Sequence, residues 1–292
     1  YFDKHCSRFV GGIYIGKNCF KGPFLENDTD HSKNLTYLNE LKNNNISVVY
    51  LDEEGGVWPG DEPDWKAYVS SRVRPEVFSK DDYIVTWGNY QKEYLESKKL
   101  SFPKSNIIAC GHPKYDLYKP KYREFFKKEI DEIKEKYNSF ILINTLTQFA
   151  VNLTGIKGSF ADRGEGWDCY STTNEKQRMR YLEQWAIENK VVANFVLLIH
   201  RLSIVFPEKE FVVRPHPGED PEFYRTVLKG LKNVHVVKQG SVSPWIMAAD
   251  AVIHDGCTTA IESFLAEVPI VTFKSIENNP YEMKLPNKFG VQ

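Results

Sequence analysis

Short apolar runs recur along the chain, each ending in glycine or polar residues and most leading into a stretch with helical spacing. Val10 to Ile15 predicts a strand rich in glycine and β-branched residues. Leu35, Leu38 and Leu41 then recur at helical spacing between Ser32 and Asn43, and Asn43-Asn44-Asn45 breaks that helix. "ISVVYL" (46–51) predicts a strand that stops in three carboxylates and two glycines, Asp52 to Gly56. "DDYIVTWG" (81–88) repeats the plan with a helix over 89–98 after it, and "SNIIACGHP" (105–113) repeats the strand.

A second series begins after a charged amphipathic stretch, Lys119 to Tyr137, in which Phe125, Phe126, Ile130 and Ile133 fall on one side. This stretch predicts a helix bridging two domains. Strand "FILINT" (140–145) follows, then a polar glycine-rich loop through Trp167 and a long helix over 174–206. Next come strand "EFVVRPHP", a helix over 221–231, strand "NVHVVKQ", helix "SPWIMAAD", strand "AVIHDG", helix "TTAIESFLAE" and strand "PIVTF". Ser243 before Pro244 reads as a helix entry, with the serine oxygen as cap and proline at the first helical position.

Strands that are apolar throughout, rather than alternating, belong in parallel sheets covered on both faces. The expectation is therefore an α/β chain with two doubly wound sheets. At 292 residues it is long enough for two domains, placed at 1–120 and 121–292.

Composition narrows the function classes. Hydrophobic residues at 41% and charged residues at 26% are ordinary globular values, and a net charge of −1 argues against a dedicated nucleic-acid binder. The longest uncharged apolar stretch, near Val191 to Ile199, is too short to cross a bilayer. Five scattered cysteines with no Cys-x-x-Cys pair disfavour a zinc site and a disulfide framework and fit a reducing cytoplasm. The chain opens on Tyr1 with residues that read as the interior of a fold, so the first domain is expected to be N-terminally incomplete.

In open parallel sheets ligands bind outside the carboxyl ends of the strands, and the polar clusters of this chain all fall there. "HDGCTTAIES" (254–263) reads as a strand end, a glycine that admits close approach (Gly256), two hydroxyls (Thr258, Thr259) and a helix start. It suits phosphate through helix amides and dipole. On that stretch alone, simple capping of the helix is an equally good reading. The "RPHP" turn (214–217) favours phosphate, because His216 ends another strand with prolines fixing its approach and can donate a hydrogen bond or a charge to a departing phosphate. His254, His112 and His200 are weaker candidates, with His254 readable as packed. Glu53 and Glu54 end an apolar strand, where burial raises a carboxyl pKa toward that of a general base, and Asp52 is a third choice.

Together these residues resemble bacterial CMP-sugar-dependent glycosyltransferases of the GT-B type, the sialyl, polysialyl and Kdo transferases. The shared motifs read here Glu53-Glu54-Gly55, His216-Pro217 and Thr258-Thr259. "VVYLDEEGG", "YIVTWGNYQKEYL", "IIACGHPKYDL" and "AVIHDGCTTAIESFLAEVPIVTF" more specifically resemble surface carbohydrate biosynthesis proteins of capsule and O-antigen loci, over roughly Val10 to Phe273. The resemblance implies two Rossmann-like domains facing a cleft, with the nucleotide on the second and a glycan or glycolipid acceptor on the first. It implies Glu53 as base, His216 assisting CMP departure, Thr258 and Thr259 on the phosphate, and Glu262 on ribose hydroxyls. Arg214, Pro217, Ser243 and Gly256 complete the nucleotide set, and residues 239–245 form the base-reading loop.

The donor is then a CMP-sugar, and no cofactor is called for. Helix amides and His216 can stabilise the departing phosphate in place of a metal, so the expected enzyme is metal-independent. The partners expected are the donor and acceptor, without nucleic acid. The expected location is cytoplasmic, at the inner face of the plasma membrane beside other polysaccharide-assembly proteins. A CDP-polyol phosphotransferase of teichoic-acid type and a non-catalytic nucleotide- or glycan-binding module remain open. A retaining double displacement would require a carboxylate nucleophile, Asp255 or one of Asp52 to Glu54. Chains of this resemblance usually send a final helix back across to the first domain, and by that comparison the end at Gln292 is expected to be short.

Overall fold

The structure is a computed structural model that describes residues 12–17, 41–52, 56–73, 78–100, 102–162 and 169–291. It divides into a unit ending at Pro113 and a unit made of Lys114–Asp162 and Tyr170–Gln292. Both are parallel-sheet α/β units of Rossmann type. Among the described residues, no helix is long and apolar enough to cross a membrane.

The first unit holds four parallel strands in sequential order: β1 (Gly12–Lys17), β2 (Ile46–Leu51), β3 (Tyr83–Thr86) and β4 (Ile107–Ala109). Helices α1 (Glu62–Arg72) and α2 (Asn89–Glu96) connect the later strands. Val48, Tyr50, Ile84 and Ile107 bury completely against Trp65, Val69 and Leu95. Asn45 takes the left-handed conformation (φ 55°), which ends the preceding helical turn as its asparagines predict.

The second unit holds β5 (Phe140–Asn144), β6 (Glu210–Arg214), β7 (Val234–Val236), β8 (Ala251–His254) and β9 (Ile270–Thr272), all parallel, in the order β7-β6-β5-β8-β9. The winding runs outward from β5 through β6 to β7, then restarts on its other side with β8. Side-chain alternation sends Phe140, Leu142, Val212 and Val252 into one core and Ile143, Phe211, Val213 and Ile253 into another. The first core is covered by α3 (Lys127–Tyr137), α6 (Ser243–Ala248) and α7 (Thr259–Ala266). The second is covered by α4 (Glu175–Val205) and α5 (Pro221–Val227), with Val191, Val192, Phe195, Ile199 and Tyr224 buried. Asn174 caps α4 by accepting from the Gln177 amide at 3.1 Å.

Three local expectations are corrected. The stretch 119–137 is not one helix: a turn at Pro120–Arg123 and a 3-10 turn at Glu124–Phe126 precede α3, and all of it lies in the second unit. The tighter 3-10 winding changes the phase of the side chains, so Phe126 is buried while Phe125 is 71% exposed. The helix expected over 221–231 ends at Val227. Ser243 is not a cap, because Val242 already has near-helical angles (φ −75°, ψ −24°) and occupies the cap position.

Ser243 is instead bonded to a buried phenol. Tyr118 donates its proton to Glu262 Oε2 in a very short hydrogen bond and its oxygen lies 2.8 Å from Ser243 Oγ, which can donate to it, while Lys114 Nζ lies 2.5 Å from Glu262 Oε1. Glu262 is fully buried, so this cluster ties α6 and α7 to the first residues of the second unit. Tyr118→Phe leaves a buried carboxylate oxygen and a hydroxyl short of a partner. It is expected to cost about 1–3 kcal/mol in urea denaturation without changing the slope of the transition.

Candidate functional site

The reversal of winding in the second sheet lies between β5 and β8, and in doubly wound sheets the ligand crevice lies outside the carboxyl ends of the strands at that point. A row of polar residues crosses the sheet there in register: Arg214, Asn144, His254 and Thr272. All four are buried. Arg214 donates to the carbonyls of Gln239 and Gly240, each at 2.8 Å, and its guanidinium lies 5.0 Å from the Trp245 ring centre. It thereby shapes the 239–245 loop. The Asn144 Nδ2 group is buried and makes no hydrogen bond.

The turn after β6 presents His216. Its Nδ1 accepts from the Gly218 amide at 3.1 Å, which puts the ring proton on Nε2. Burial, with a smaller effect from Lys238, lowers its pKa to about 4. The half-buried ring is therefore neutral at ordinary pH and offers an N–H. Three residues on, Glu219 has no exposed surface and accepts from the hydroxyls of Thr145, Thr147 and Tyr224 and from the Thr147 amide. Asp220 caps α5 through the Glu222 amide at 3.0 Å.

The turn after β8 is built in a similar way. His254 Nδ1 accepts from the Gly256 amide at 3.1 Å, but its Nε2 meets Thr272 Oγ1 at 3.2 Å and the ring is wholly buried. Both ring nitrogens are therefore engaged within the fold. Gly256 sits at φ 78°, and a Cβ there would come within 2.7 Å of Met283 Cβ, so the turn admits only glycine. Thr258 occupies the cap position of α7 without a side-chain capping bond, and the buried Thr259 Oγ1 has no hydrogen-bond partner.

A cavity of 80 Å³ lies beside these turns, lined by Gln148 and Phe149 after β5, by Gln184 and Glu188 of α4, and by Asp255 and Met283 among others. Asp255 of the second turn lines it, and the first turn packs against its wall at Gln148. Gln148 Oε1 lies 2.7 Å from where a Gly218 Cβ would stand, and Met283 closes over Gly256. Burial raises Asp255 to about 7, helped by the charge of Glu282, and raises Glu188 to about 8 despite bonds from the Phe149 amide (2.9 Å) and Gln184 (3.3 Å). Among the described residues, no three His, Cys, Asp or Glu side chains gather as a metal ion requires.

The sequence-derived nucleotide residues thus fall into two sets. His216, Pro217, Gly256, Thr258 and Thr259 stand at the crevice, with Asp255 between the two turns and the cavity. Arg214, Ser243 and Glu262 are engaged inside the protein. Glu53 and Glu54 lie outside the described residues, while the adjacent Asp52 is fully buried and accepts from Gln91 Nε2 at 2.8 Å. His200 bonds the Val227 carbonyl at 3.1 Å, and His112 lies against Trp87. Sequence reasoning missed Glu188 and Glu219. The one signal for Glu219 was its place within "RPHPGED"; Glu188 sits in mid-helix with no local signal.

No protein-family model matches this chain, and no curated protein matches it. Among solved structures it is similar to a UDP-GlcNAc 2-epimerase from Neisseria meningitidis bound to UDP-GlcNAc, with a TM-score of 0.48 and 14% identity, covering 91% of this chain and 74% of that one. It is similar also to the UDP-GlcNAc 2-epimerase of Methanocaldococcus jannaschii (TM-score 0.48, 13% identity, 93% and 63% covered). A third is the H548A form of the wall teichoic acid polymerase TagF (TM-score 0.43, 14% identity, 78% and 50% covered). The chain spans less than two thirds of the length of the last two.

The shifted groups set opposite pH dependences. Glu188 and Asp255 keep protons in the folded chain that the unfolded chain releases near its ordinary carboxyl pKa. Their effect on stability therefore becomes unfavourable as pH rises from about 4 to their folded values of about 8 and about 7. His216 and His254, both lowered to about 4, bind protons more readily when unfolded, so stability falls as pH drops from about 6.5 to about 4. Glu188→Gln removes the Glu188 share of the first effect and leaves the second unchanged. It is expected to stabilise the protein at pH 8 relative to pH 5 by at least about 1 kcal/mol in parallel denaturant titrations.

Proposed function

We propose that this chain is a glycosyltransferase that moves an acidic sugar, of the Kdo or sialic-acid kind, from a CMP-sugar to a surface-glycan or glycolipid acceptor. The observation that carries the donor side is that the His216 turn and the Gly256 turn follow β6 and β8, the two strands that flank β5 where the second sheet reverses its winding. Phosphate suits this edge. It can accept the Nε2–H of a neutral His216 and the unsatisfied Thr259 hydroxyl, and it lies at the positive end of α7.

As the bond from sugar to phosphate breaks, charge gathers on CMP, and donors already oriented toward that place lower the barrier. In this reading Arg214 acts indirectly, by holding the 239–245 loop against which the base lies. Accepting a proton from the attacking hydroxyl falls to Glu53, an assignment that rests on the sequence resemblance. The work is cytoplasmic, at the inner face of the plasma membrane where lipid-linked acceptors are built.

Titration calorimetry of the full chain with CMP, followed by a transfer assay, tests the reading. The unsubstituted chain binds CMP, and His216→Ala weakens that binding about tenfold or more by removing a hydrogen bond to a charged group. Glu53→Gln keeps CMP binding and lowers transfer at least ~100-fold, the low end of the loss of a general base. CMP heat with no turnover would reduce the chain to a binding module. Phosphate retained in the product would replace sugar transfer by polyol-phosphate transfer.

A further inference from the structure

The cavity beside the two histidine turns has a chemistry of its own, and part of it is excluded from any phosphate contact. Asp255, Glu188 and Glu282 all line it, and no lysine, arginine or histidine does. The nearby cation, Lys274, is already paired with Glu282 at 3.0 Å. An anionic group entering this space would meet three carboxyls in a poorly solvated place, so neither the donor phosphate nor a sugar carboxylate belongs there.

The remaining lining is that of a hydroxylated carbon chain. Phe149, Ile187, Val191 and Met283 supply apolar wall for C–H groups, while Gln148, Gln184 and Asn279 supply amides that both donate and accept. With their carboxyls raised to about 7 and about 8, Asp255 and Glu188 exchange between protonated and ionised forms near neutrality, so they too can donate to or accept from hydroxyls. At 80 Å³ the space suits a short arm rather than a whole nucleotide.

We propose that this cavity is a subsite for a neutral, hydroxyl-bearing arm of the donor's sugar, held by Asp255, Gln184 and Glu188 beside the phosphate position. The proposal rests on the donor reading above and adds an orientation to it. The phosphate faces His216 and α7, the hydroxylated arm enters the cavity, and the sugar carboxylate points away from it. Specificity follows, because a sugar that must place a charge in the cavity is rejected.

The test compares CMP with CMP-N-acetylneuraminic acid, whose sugar carries a three-carbon hydroxylated arm, by calorimetry on the full chain at pH 7. The unsubstituted protein is expected to bind the CMP-sugar about tenfold more tightly than CMP, as the added hydrogen bonds require. Gln184→Met is expected to reduce that preference to below about threefold while leaving CMP affinity within about twofold, and Asp255→Leu to lower it in the same direction. CMP binding by each variant shows that its fold is intact, and the second variant serves if the first does not fold. A preference that survives both substitutions, or is absent in the unsubstituted protein while CMP still binds, overturns the subsite alone. Absence of binding to either compound overturns the donor reading and the subsite with it.

Discussion

A carboxylate that loses its water must recover its hydrogen bonds from the protein, and Glu219 recovers them from two separate elements while a third holds its backbone. Thr145 and Thr147 bring the loop after β5 to it, Tyr224 brings α5, and Lys238 bonds its backbone carbonyl from beyond β7. The loop so held continues into Gln148 and Phe149, which wall the cavity, and Glu219 itself follows the His216 turn. The positions of the imidazole and the cavity wall thus depend on one desolvated side chain. Removing it would leave several buried donors unpaired at once, a loss that small repacking cannot absorb.

The architecture was legible because it follows from patterns that repeat. Continuous apolar runs ending in glycine or polar residues marked β2, β3, β5, β6 and β8 as strands of buried parallel sheets, and the motifs fell at their carboxyl ends. What was not legible depends on partners far apart in the chain. Nothing around Ser243 announces that Tyr118, 125 residues earlier, bonds its hydroxyl, so a good local capping signal gave way to a tertiary bond. The break in the 119–137 stretch has a similar origin. Its periodicity is helical, yet a 3-10 turn lets Phe126 and Ile133 both reach the core at the expense of Phe125.

His216 and His254 show where the sequence stops speaking about chemistry. Each ends or follows a strand, and each accepts through Nδ1 from the glycine two residues on. The difference is the other nitrogen. Thr272, on β9, occupies that of His254, and only the pairing of β8 with β9 puts the hydroxyl there. An identical local device therefore yields a packed residue in one place and a presented donor in the other, and the fold decides between them.

The electrostatics of this edge follow from one cause acting on groups of opposite sign. Burial lowers the two histidines and raises Asp255 and Glu188, so every one of them is pushed toward its uncharged form. An edge built of neutral groups does not attract a ligand strongly from a distance, and salt would weaken its recognition less than that of a cluster of lysines. Its selectivity lies in oriented N–H and O–H groups, whose dipoles cost no reorganisation when charge appears near them. Under the donor reading proposed above, such an edge favours a bond that breaks to leave charge on the phosphate, with the His216 Nε2–H and the α7 dipole already in place.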